Sequence, residues 1–320
     1  MGFGPRPPAA SASTAAAAAI STQASAASSM RSGDVVTICG FASLMDEVSA
    51  REATPSLRHF RLGRVDGHCR VFNLASILNI RRGVARGDRI ASCTAVRREE
   101  CHLRVCLYEV PAAELPALLL REARLKPQFV TYTEDDDTED GDAEDDDAED
   151  DDTEDAHRRA ESAREGGGEG GGDNQRSRLG GSALLFTRSS DAEYLAERCG
   201  GNLAMYHDEV GRFYSGALYR RDILPIPAYT LRCLRAYAAL GAAHLDNFLD
   251  ASFLGDERTS LRVHLRDVLG GVSEAADEQA RTLETGRGEH CEYWSDEQRE
   301  ELRRIICYEI ESEDCSKYLI

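Results

Sequence analysis

Between Glu134 and Asp155 the chain carries 17 aspartates and glutamates and no lysine or arginine. No fold can take such a run into its interior, because desolvating many like charges costs more than apolar burial returns. A glycine-rich stretch around Gly166 to Gly172 follows it. Residues 134–180 are therefore predicted to be a disordered, flexible insertion. The ordered chain has to assemble across it, from residues 34–133 on one side and 181–270 on the other.

The tract also accounts for the charge. The formal net charge is −19, so the sequence outside the 17 acids carries only −2. A nearly neutral remainder offers no surface for a polyanion, and the tract itself repels nucleic acid. The insertion either serves solubility alone or docks a basic protein partner, as acidic runs do in some chains. No apolar run approaches the roughly 18 residues of a membrane span, so no membrane association is expected.

Ten cysteines occur without a Cys-x-x-Cys pair. Zinc sites need such pairs with histidines at matching spacing, and disulfide frameworks belong to short secreted chains. Free thiols in a reducing compartment fit the pattern. Residues 1–33 are rich in Ala, Ser and Thr, contain Arg6 and Arg31, and lack Asp and Glu. They read either as a transit peptide or as a disordered tail, which places the protein in a plastid or mitochondrion in the first case and in the cytoplasm in the second.

The first ordered element is a β-branched run at Val35, Val36 and Ile38, leading through Cys39 into Gly40, Phe41, Ala42 and Ser43. Small residues after a strand leave successive N–H groups free to converge on an anion such as a carboxylate. The same composition also describes an ordinary strand exit. Arg51 to Leu62 reads as a connection and Val65 to Asn73 as a second strand interrupted by Gly67. Ile90 to Val96, a polar Arg97 to Glu100 turn, and the alternating segment from Cys101 to Tyr108 read as a hairpin.

Pro111 opens a helical pattern that runs to about Leu125, where Pro127 stops it. Leu115, Leu118, Leu119 and Leu125 share one face, and Glu122 falls on that face, where periodicity calls for an apolar residue. Carboxylates are seldom buried without a partner, so Glu122 is either a functional acid or half of an i,i+4 ion pair with Lys126. Gln128 to Thr133 and Ala183 to Thr187 read as strands, and Asp191 to Arg198 as a helix ended by Gly200 and Gly201. Pro225 to Tyr229 leads into a helical stripe of Leu231, Leu234, Tyr237 and Ala238, and Leu245, Phe248 and Leu249 make another. In residues 271–320, a helical extension, Ser295 and Gln298 have capping-box spacing ahead of an amphipathic helix.

Three pieces stand in order: Gly-Phe-Ala-Ser-Leu-Met from Gly40, a helix bearing Arg121-Glu122, and Pro-x-Pro-x-Tyr ending at Tyr229. Together they resemble the γ-glutamylcyclotransferase-like superfamily, and Asn247 to Asp256 resembles the C-terminal helix pair of its plant and algal branch. The resemblance covers about Asp34 to Thr133 and Ala183 to Leu269. It implies an α+β fold, a closed mixed β-barrel of about six strands ringed by helices, with the loop and the glutamate facing one cavity. It also implies that Glu122 is the catalytic acid, that Ile38, Cys39, Gly40, Phe41, Ala42 and Ser43 hold a γ-glutamyl substrate by their amides, and that Tyr229 borders the pocket. If instead turnover has been lost, the same fold would be a ligand-binding module. A third reading makes the acidic insertion the functional part.

The implied chemistry suits these residue types. The α-amine of a γ-glutamyl amide attacks its own γ-carbonyl, closes a five-membered ring and expels the amine, with intramolecular geometry lowering most of the barrier. A base must first deprotonate the ammonium and can return that proton to the leaving nitrogen. No metal or cofactor is required. Phe41 and Ala42 depart from the Tyr-Gly-Ser usual in the family, and if position 42 needs a positive φ, alanine strains or reshapes the turn.

Overall fold

A computed structural model describes residues 34–135, 180–270 and 294–308. The predicted head, nearly all of the acidic insertion and residues 271–293 lie outside the described residues. Strands β1 (Val35–Gly40), β2 (Arg58–Ala75), β3 (Ala91–Pro111), β4 (Lys126–Glu134) and β5 (Gly180–Thr187) pair in a ring. The ring order is β1-β3-β2-β4-β5, and a parallel contact of Ile38 and Cys39 with Leu184 and Leu185 closes it. Strand β6 (Ser252–Leu254) adds to β2 outside the ring. The mixed closed barrel thus has five strands with β6 as a sixth beside it, and β4 and β5 bring together the two sides of the insertion.

Two sequence expectations are corrected by strand pairing. The polar Arg97 to Glu100 run is not a turn between two strands. It is an outward bulge in one 21-residue strand, because Ala91–Arg97 and His102–Glu109 both pair antiparallel with β2 in a single direction. Residues 58–62, read as connection, belong to β2, where Arg61 and Leu62 face Leu107 and Cys106 across the ladder. Gly67, at φ 70°, sits in the β2 irregularity between Asp66 and His68, where the strand must bend to follow the barrel wall.

Helices α1 (Glu47–Ala53), α2 (Leu115–Arg121), α3 (Pro227–Ala238), α4 (Ala242–Asp250), α5 (Leu261–Val268) and α6 (Asp296–Tyr308) complete the main elements. The cover they give explains why Val105, Cys106, Leu107 and Tyr108 are all fully buried: consecutive strand residues point to opposite faces, and here neither face meets water. The expected capping box forms at α6, with Ser295 Oγ accepting from Gln298 N at 3.1 Å and Gln298 Oε1 from Ser295 N at 3.0 Å. It starts a helix whose Leu302 joins the core. No helix among the described residues is long and apolar enough to cross a membrane.

Gly40 marks a close approach of β1 to β3. A Cβ there would lie 2.5 Å from Cys106 Sγ and 3.0 Å from Leu44 Cβ. Gly40→Ala is expected to cost about 1–3 kcal/mol by overpacking. Shortening the opposing side chain with Cys106→Ala should recover part of that loss. Urea unfolding of the two single variants and the double variant checks it, and strictly additive losses would contradict the close contact.

Candidate active site

Chain direction decides where Glu122 ends up. Helix α2 stops at Arg121, three to four residues earlier than the leucine pattern implies, and Glu122 is its C-cap, with its N–H donating to Leu118 O. Its carbonyl accepts from Leu125 N, turning the chain into β4. That turn carries the carboxylate inward: the side chain is 19% exposed, with Arg121 Nε at 3.3 Å. Lys126 is not its partner. The lysine opens β4 and pairs with Glu193 at 2.9 Å, so the i,i+4 ion-pair reading of Glu122 is excluded.

Burial pushes the Glu122 carboxyl above the usual range, against the opposing pull of Arg121 and Arg124. A carboxyl raised above its usual range is what a general acid–base group needs. Tyr108, which the sequence did not single out, lies close enough for its charge state to be coupled to Glu122. Its hydroxyl is buried and makes no hydrogen bond among the described residues.

Downstream of β1, Phe41 leads into a single 3-10 turn, Ala42–Met45. Ala42 takes φ 54°, in the left-handed region. The glycine usual at this place would enter that region freely, and a Cβ makes it costly. The amides of the loop are unequally available. Ala42 N donates to Tyr237 Oη at 3.2 Å and Leu44 N to Phe41 O at 3.2 Å. Those of Phe41 and Ser43 make no hydrogen bond within the described residues. Ile38, Cys39 and Gly40 pair in the β1–β3 ladder.

One cavity of about 50 Å³ is lined by Cys39, Phe41, Ala42, Ser43, Glu122 and Tyr229, together with Leu44, Cys93, Leu125 and Phe186. Six of the eight residues singled out in the sequence, separated by up to 190 positions, therefore share one wall. Ile38 and Gly40 do not reach it; Ile38 is wholly buried in the core. Leu125 and Phe186 also line a second cavity beside Lys126 and Glu193, so these two side chains form a partition between the two spaces. The Tyr229 ring stands edge-on to Phe72, with centroids 6.3 Å apart. Its hydroxyl lies beside Cys93 and Cys233, and burial pushes it well above its usual value, so it stays protonated.

Burial pushes the Cys39 thiol to about 12. It stays protonated at neutral pH and is no nucleophile. Among the described residues no group of three or more His, Cys, Asp or Glu is placed to hold a metal ion.

No protein-family model matches this chain, and no curated protein is significantly similar to it. Among solved structures, an uncharacterized protein from Homo sapiens is similar over 52% of this chain and 78% of that one, with 8% identity and a TM-score of 0.31. A structure named gamma-glutamyl cyclotransferase matches over the same shares, with 8% identity and a TM-score of 0.30. Both likenesses are faint.

The raised Glu122 pKa predicts a pH signature. The folded chain holds this proton more tightly than the unfolded one, whose glutamates titrate near about 4.3. As pH rises through that value the unfolded state ionises first, and the fold loses stability until the folded-state pKa is passed. Glu122→Gln removes this loss. Its melting temperature should exceed the native one at pH 7, with the gap closing near pH 4. A variant that melts lower at pH 7 would show that Arg121 stabilises the carboxylate more than burial strains it.

Proposed function

We propose that this chain is a γ-glutamylcyclotransferase-like lyase, which converts a γ-glutamyl amine or peptide to 5-oxoproline and a free amine. The observation that carries the proposal is the shared cavity, where an acid with a raised pKa meets a turn whose Phe41 and Ser43 amides make no hydrogen bond among the described residues. Glu122 takes a proton from the substrate's α-ammonium. The freed amine then forms a bond to the γ-carbonyl carbon, the bond from that carbon to the leaving nitrogen breaks, and the departing nitrogen takes up both the proton held by Glu122 and the second proton that the attacking nitrogen sheds as it becomes the lactam N–H, leaving as an ammonium. The Phe41 and Ser43 amides receive the α-carboxylate, and the Tyr229 ring bounds the head group.

Ligand cavities usually run to about 300–1,000 Å³, so substrate entry displaces a side chain. Leu125 and Phe186 are the residues to move, because their displacement joins this cavity to the one beside Glu193. The enlarged space gives the leaving amine a place next to the glutamyl head group.

A second reading is favoured by Ala42: its strained backbone and committed amide suit a member of the same fold that binds ligand without turning it over. Incubation with glutathione and a panel of γ-glutamyl dipeptides, with 5-oxoproline read by mass spectrometry, separates the two. An active native chain should lose at least about 100-fold in kcat on Glu122→Gln, the usual contribution of a general acid–base group. Product from both forms at equal rates would remove Glu122 from the mechanism. Ligand-dependent thermal stabilisation without any product would replace the lyase with the binding module.

A further inference from the structure

Among the described residues three that are not glycine take a positive φ: Ala42, His59 and Glu257. His59 is exposed and Glu257 half-buried, whereas Ala42 is only 2% exposed. A buried alanine stays in the left-handed region only if its surroundings over-determine it. The candidate is a single hydrogen bond across the fold, from Ala42 N to Tyr237 Oη on α3, 195 residues away.

Tyr237 is itself held from several sides. Its hydroxyl donates to Arg104 O on β3 at 3.4 Å. Its ring stacks on Phe248 of α4, centroids 4.4 Å apart and planes 16° from parallel. The Arg70 guanidinium of β2 lies 4.8 Å from the ring centroid. Arg70 is fixed in turn, donating to Arg104 O at 2.7 Å and to the backbone and side-chain carbonyls of Asn247 at 3.2–3.3 Å. Asn247 also takes Arg104 N at 3.0 Å and donates to His102 O at 3.0 Å. The phenol oxygen that meets Ala42 is thereby placed by β2, β3, α3 and α4 together.

We propose that Tyr237 is the positioning residue of the candidate site: its hydroxyl holds Ala42 in the left-handed conformation that a glycine would enter unaided, and so sets the direction of the free amides at Phe41 and Ser43. The proposal deepens the lyase reading, on which it rests for calling this turn a substrate site. The geometry of the bond itself is independent of that reading.

The test uses the full chain as native protein and as Tyr237→Phe, Ala42→Gly and the double variant, with two readouts: hydrogen exchange of the amides at 41–44, and kcat and KM for 5-oxoproline formation. In the native chain the Ala42 amide should be protected from exchange. Tyr237→Phe keeps the ring and should speed loop exchange about tenfold, the scale of one buried hydrogen bond lost. It should raise KM by a similar factor with a smaller change in kcat, since the amides act in binding. Ala42→Gly makes the held conformation accessible without help, so on that background Tyr237→Phe should change loop exchange and KM less than about twofold.

Equal effects of Tyr237→Phe on both backgrounds would reduce the tyrosine to a packing residue and overturn the proposal. So would an Ala42 amide in the native chain that exchanges as fast as an exposed one, a measurement that needs no variant. A native chain that forms no 5-oxoproline refutes the proposed reaction, while the exchange data still decide the role of Tyr237.

Discussion

Arg70 is fully buried, and no carboxylate pairs with it among the described residues. Removing a guanidinium from water is affordable only if its donors are answered, and here carbonyl oxygens and aromatic faces answer them. Arg104 O and the two carbonyls of Asn247 receive its terminal nitrogens, Tyr237 and Phe248 present their rings, and Nε is left without an acceptor. Such an arrangement tolerates little movement, since any displacement exposes an unpaired charge to an apolar wall. Strands β2 and β3 and helices α3 and α4 are therefore locked to one another at this point. The first loop joins them through Ala42 and Tyr237.

The second constraint is the abrupt end of α2. A helix running to Leu125 would have kept Glu122 on a packed apolar stripe. Ending at Arg121 turns the residue inward beside the β1 exit, where its side chain keeps 19% exposure. The turn is short because β4 begins at Lys126, and Lys126 to Thr133 must register with Thr187 to Gly180 to carry the barrel across the insertion. Barrel closure and the acid's placement are thus one structural event. The placement of this carboxylate depends on sheet register more than on any local motif.

Much of this was legible in the chain itself. The β-branched run at Val35 to Ile38, the apolar stripes of α3 and α4 and the capping box at Ser295 follow from local periodicity and side-chain chemistry, and each appears where expected, whereas α2 stops at Arg121, short of the Leu125 that its leucine pattern implies. Glu122, the Phe41 to Ser43 turn and Tyr229 were singled out as chemistry-bearing residues, and they line one cavity. The hairpin expected at Arg97 to Glu100 failed for a definite reason. Four consecutive charged residues look like a solvent turn, and only the partner strand reveals that the chain keeps its direction through them.

The sequence by itself determined where most strands and helices begin, which stretch is too acidic for a core, and which acid sits where an apolar residue belongs. Those properties depend on neighbours within a few residues, and spacing records them. Tertiary structure alone decided that Lys126 answers Glu193 instead of Glu122, that Tyr237 meets Ala42, and that Arg70 is buried among carbonyls. A side chain's partner is set by how distant elements are brought together, and periodicity carries the face a residue presents without naming what lies opposite it.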